Sequence, residues 1–80
     1  MNAKRRARRS PQFAVCIDNG EYDIDLVVGK IYRVVKPQRN DNATDIRIVD
    51  ESRDDYLYPR TWFVLVDLPL KVRTALVATR

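Results

Sequence analysis

From Phe13 onward the chain is written in short apolar runs that alternate with clusters of Asp, Asn, Gly, Ser and Pro. That is the pattern of brief β-strands separated by turns. FAVCI (13–17) predicts a first strand, with Phe13, Val15 and Ile17 on the inward face. Asp18-Asn19-Gly20 then suits a turn, because Asn and Gly tolerate positive φ and Asp accepts bonds from its own backbone. A long excursion follows to Gly29, with LVV (26–28) as its only sustained apolar contribution. IYRVVK predicts a second strand with Tyr32 and Val34 inward and Arg33 outward, stopped by Pro37, which cannot donate to a central ladder. DIRIVD predicts a third, with Ile46 and Ile48 facing one way and Arg47 and Val49 the other. ESRD turns the chain, and DYLYP returns as a fourth strand with Tyr56 and Tyr58 on a shared face. RTWF reads as a single turn and VLVDL as a fifth strand.

Near residue 68 the period changes. Leu68, Val72, Ala75 and Leu76 fall at helical spacing, which predicts a short C-terminal helix with Lys71 and Arg73 off its apolar face. Pro69 suits a first helical turn, and Asp67 suits its positive end. Residues 1–12 are charged and nearly devoid of apolar side chains, so they are expected to form a flexible basic tail. The expected architecture is therefore all-β: a small five-stranded SH3-like barrel over residues 13–80, with a short helix at its end. Sequential antiparallel strands need only short connections, and closing them hides their edges. An OB-fold is the other five-stranded barrel, but its strands are longer and a helix often stands where ESRD is here.

The runs CIDNGEY, LVVGKIYRVV, IRIVDES…DYLYP and WFVLVDLP resemble a group of short bacterial proteins of unknown function with an SH3-like fold. In that group a KIYRV-type strand precedes a DESGEDYLYP-type hairpin and an FVPVELP-type ending. The resemblance spans residues 13 to about 76 and implies a fold without implying an activity. Two departures stand out: Arg53 replaces the hairpin glycine, and Leu65 replaces the proline of the ending.

Charge changes the picture once it is divided. The net charge is +4. Lys4, Arg5, Arg6, Arg8 and Arg9 are unopposed within the tail, and Lys71, Arg73 and Arg80 are unopposed at the other end. Residues 13–69 hold seven Lys/Arg against eleven Asp/Glu, a net of −4. The expected body is acidic and its ends basic. The five tail cations are candidate phosphate contacts, which would give weak, salt-sensitive nucleic-acid binding.

The chain has no histidine and one cysteine. Ser-His-Asp and Cys-His catalysis and Cys/His zinc sites are thereby excluded, as is an internal disulfide. With two glycines there is no phosphate-cradling loop. Asp and Glu gather around 18–25 and 50–55, where turn chemistry accounts for them. NDNATD (40–45) begins like a calcium loop, but Asp45 stands where that loop needs glycine. No cofactor, metal or catalytic residue is expected. Cys16 is expected to be a buried structural thiol. No apolar run is long enough for a membrane span, so a cytoplasmic protein without a membrane partner is expected. What remains is a binding module of unknown partner. Tyr22, Tyr56, Tyr58 and Trp62 are candidates for a face that binds a protein or peptide segment, flat rings being suited to extended chains. Nucleic acid held by the basic tail is the alternative.

Overall fold

The computed structural model describes residues 12–78. Five strands, β1 (Gln12–Cys16), β2 (Ile31–Val34), β3 (Asp45–Val49), β4 (Asp55–Pro59) and β5 (Phe63–Val66), form one antiparallel sheet in the order β4-β3-β2-β1-β5. A one-turn 3-10 helix, Arg60–Trp62, links β4 to β5, and a nine-residue helix α1, Leu70–Ala78, ends the described chain. The sheet is open among the described residues, since β4 and β5 are its two edges. No helix is long and apolar enough to cross a membrane.

Cross-strand partners share a face, so the register assigns the core. Ala14 opposes Tyr32 and Leu65, Cys16 opposes Phe63, Val34 opposes Ile48, and Ile46 opposes Tyr58. Ala14, Cys16, Tyr32, Ile46, Ile48, Tyr58 and Phe63 form a buried cluster on that side, with Val34 and Trp62 packed against it. Each strand contributes to it. The expected inward faces of β2 and β3 are those observed.

β1 is the exception. It starts at Gln12, inside the expected tail, and its core face is Ala14 and Cys16 rather than Phe13, Val15 and Ile17. Phe13 is nevertheless buried, on the opposite face, where Leu76 of α1 lines the same depression. Ile17 lies beyond the strand and is exposed. Both faces of β1 are apolar and covered, so alternation alone cannot choose between them.

The helix also turns a different side inward than expected. Arg73, Leu76 and Val77 are half-buried, whereas Val72 and Ala75 are exposed. The aliphatic stem of an arginine packs as well as a short apolar side chain, which a period count based on charge does not register. Its first turn has no acidic residue, and the Pro69 carbonyl accepts the first bonds from Val72 and Arg73.

The long excursion between β1 and β2 is an ordered structure. Leu26 is fully buried, which contributes about 1.5–3 kcal/mol of transfer free energy. The Asn19 side-chain amide donates to the Leu26 carbonyl at 3.0 Å, and the Glu51 amide donates to the Asp25 carbonyl at 3.0 Å. Val27 and Val28, its expected companions, face solvent.

Candidate functional site

Tyr22, Tyr56, Tyr58 and Trp62 come from three places in the chain and meet on one open groove of about 960 Å³. The β1–β2 loop supplies Tyr22, β4 supplies Tyr56 and Tyr58, and the 3-10 turn supplies Trp62. The Tyr22 ring stands edge-on to Tyr58 with centroids 6.1 Å apart, and lies 6.0 Å from Trp62. Tyr58 and Trp62 are 6.1 Å apart, and Tyr58 reaches Phe63 of the core at 6.2 Å. These separations fall within the range of favourable ring contacts. Tyr58 is buried and forms the floor, while Tyr22 and Tyr56, each about half exposed, are the walls.

The loop reaches this position through its turn chemistry. Asp18 accepts from the Gly20 amide at 2.9 Å, and Tyr22 starts a tight turn in which its carbonyl accepts from Asp25 and Leu26. Gly20 has φ +58°, a left-handed conformation that glycine adopts freely. A Cβ there would lie 2.5 Å from Cη2 of Trp62. The indole therefore rests directly on the Gly20 backbone. The Trp62 carbonyl in turn accepts from the Ile17 amide at 2.8 Å, tying the turn to the foot of the loop.

One wall of the groove is fixed by Asp50, the sole buried charged residue among those described. It accepts from the Tyr58 hydroxyl at 2.5 Å, the Ser52 hydroxyl at 2.6 Å and the Ser52 amide at 2.9 Å. Burial, and then this bond to a carboxylate, push the Tyr58 phenol above its ordinary range, so it stays neutral. Nothing in the sequence pattern pointed to Asp50 or to Gly20 as parts of the site. The D-x-S spacing of Asp50 and Ser52 signals a turn, but its link to Tyr58 requires the β3–β4 register. Glu21 and Asp25 complete the acidic lining, and among the described residues no Lys or Arg lines the groove.

Two further polar nodes brace the sheet. The Tyr32 hydroxyl donates to Glu51 at 2.5 Å and accepts from the Val27 amide at 2.8 Å, and Lys30 pairs with the same Glu51 oxygen at 2.7 Å. Lys30, then Tyr32, hold the Glu51 carboxyl below its usual range. Arg47, on the face of β3 opposite Ile46 and Ile48, is a clamp. Its Nε and Nη2 donate to the two oxygens of Asp41 at 2.9 and 2.8 Å, and its Nη1 donates to Asp55 at 2.8 Å. The guanidinium and the Gln38 amide hold Asp41 at a pKa of about 2. The calcium-like loop thus spends Asp41 on Arg47.

Arg53 stands where the resembled hairpin has glycine. It takes a left-handed φ of +75° itself. Cys16 is fully buried, its thiol donating to the Asp18 carbonyl at 3.3 Å, and burial pushes its pKa up. That makes it a protonated packing group. Lys4, Arg5, Arg6, Arg8 and Arg9 lie outside the described residues, as does the rest of the expected tail before Gln12. Among the described residues, no group of three or more Cys, Asp or Glu is arranged to hold a metal ion. No family model, no curated protein and no solved structure matches this chain.

Proposed function

We propose that this chain is a non-enzymatic interaction module whose groove takes up an extended protein segment carrying Lys or Arg. The observation that carries the reading is the convergence of Tyr22, Tyr56, Tyr58 and Trp62 on a groove whose remaining lining includes Glu21 and Asp25 and, among the described residues, no cation. Flat aromatic walls give an extended chain apolar contact on both sides, and the carboxylates select its charge. The fold that accompanies this function is a small SH3-like barrel. In its support, all five strands place side chains in one cluster, and the 3-10 turn carries the chain from one edge of the sheet to the other.

The test uses Trp62, the single tryptophan, as a built-in reporter. Full-length protein is titrated with extended peptides, basic and acidic, and with duplex DNA and RNA. Basic peptides should change the emission saturably, and Tyr22→Ala should weaken them by about tenfold or more, as loss of an interface aromatic does. Tyr22 is exposed, so its removal spares the core. Deleting residues 1–10 should leave peptide binding unchanged. Nucleic-acid binding that vanishes with that deletion, with a log–log salt slope near −0.9 per phosphate, would replace this reading with tail-mediated association.

A further inference from the structure

The outer face of the sheet carries a second, smaller depression of about 260 Å³, walled by β2, the β3–β4 turn and α1. Its charge is opposite to that of the groove. Lys30, Arg33 and Arg53 line it, although the body as a whole is acidic. Two carboxylates line it as well, each already bonded within the protein. Glu51 is held by Lys30 and the Tyr32 hydroxyl, and Asp50 by Tyr58 and Ser52.

The two arginines have no such partner. Among the described residues neither the Arg33 nor the Arg53 guanidinium makes a hydrogen bond or ion pair. Arg33 is half-buried, in register between Phe13 on β1 and Val49 on β3. Its guanidinium nitrogens are not buried, so the stem packs on the sheet while the head stays open to an anion from solvent. Arg53 occupies its position in a backbone conformation that suits glycine better. On α1, Arg73 stands one turn before Leu76, which lines the depression, and its Nε is buried without an acceptor. Lys30, Arg33 and Arg53 thus line the depression with Asp50 and Glu51, while farther along the same face Arg47 is neutralised by Asp41 and Asp55.

We propose that this depression is an anion site that binds a phosphate group, with Arg33 and Arg53 as its principal donors. Guanidinium forks match the paired oxygens of a phosphate, and two uncompensated charges fit a dianion better than a lone carboxylate. The volume is slightly below the ~300 Å³ at which small-molecule pockets begin, which suits a compact headgroup and not an extended polymer.

The experiment follows amide chemical shifts of the full-length chain through titrations with inorganic phosphate and with phenyl phosphate, each against sodium chloride at matched ionic strength. Saturable shifts are expected at residues 30–33, 49–53 and 73–76. Arg33→Gln and Arg53→Gly should each raise the apparent Kd about tenfold or more, the worth of a charge-assisted bond. Arg53→Gly is the safer variant, because glycine relieves its backbone. Stronger binding of phenyl phosphate identifies an ester as the physiological form, and equal binding identifies the free ion. Non-saturable shifts, shifts spread over Lys36, Arg39 and Lys71 alike, or undiminished binding by both variants would overturn the proposal.

Discussion

Replacing Gly20 with alanine tests whether the groove is held by contact between a backbone and a ring. Two effects add at this position. A left-handed φ of +58° disfavours any L-residue by about 1–2 kcal/mol. The new methyl would also lie 2.5 and 2.8 Å from Cη2 and Cζ2 of Trp62, so the rigid indole must move. Forced displacement in a packed site costs roughly 1–3 kcal/mol. Moving Trp62 further weakens its contacts with Tyr22 and Tyr58. The sum is about 2–5 kcal/mol, and each kcal/mol corresponds to roughly 4–8 °C in Tm for a domain of this size. Gly29→Ala is the matched control. Gly29 has φ +92°, but a Cβ there would meet nothing within 4 Å. It carries the backbone penalty alone, and the gain from a stiffer unfolded chain is common to both variants. Chemical denaturation followed by Trp62 emission should therefore show a larger loss for Gly20→Ala, accompanied by a shifted native spectrum. Equal losses in the two variants, with native emission unchanged, would refute the claim that the indole rests on Gly20.

Asp50→Ala should destabilise the fold by about 2–4 kcal/mol, since it strands the buried Tyr58 hydroxyl and the Ser52 amide. Asp54→Ala, on the exposed part of the same hairpin, should stay within about 0.5 kcal/mol, and urea titrations compare them. Asp41 has its folded-state pKa lowered to about 2 from an ordinary value near 4, so its contribution is complete above about pH 4 and drains away as pH falls toward 2. Stability measured across that window should decline more steeply for the wild type than for Asp41→Asn, which lacks the titrating group; parallel curves would contradict the clamp.

The fold was legible where one face of a strand is apolar and the other polar. Tyr32 and Val34 flank Arg33, and Ile46 and Ile48 flank Arg47, so period two places them without ambiguity. It failed at β1, where FAVC is apolar throughout because α1 covers the side the core does not. The aromatic candidates were legible because Tyr and Trp near turns are conspicuous. A shared face could be expected for them, but not its geometry, which depends on a loop anchored by buried Leu26 and by the Asn19 and Asp25 bonds. The role of Arg47 is hidden from the sequence for a related reason. Its partners, Asp41 and Asp55, lie in a loop and on the neighbouring strand, and only the register brings them to one guanidinium.

The strand order also dictates when the groove comes into being. β1 to β4 pair with their neighbours in sequence, and each such pairing closes a loop of modest length. β5 instead returns across the chain to β1, setting Phe13 against Val66. That pairing joins the first strand to the last and carries the largest loop-closure entropy in the sheet. Tyr22 sits between the first two strands, and Trp62 immediately before the last. The strands β1 to β4 alone would therefore lack the indole against which Tyr22 and Tyr58 pack. If the groove takes up a segment as proposed, one that touches Trp62 would favour chains whose final strand has docked and so hold that strand in place.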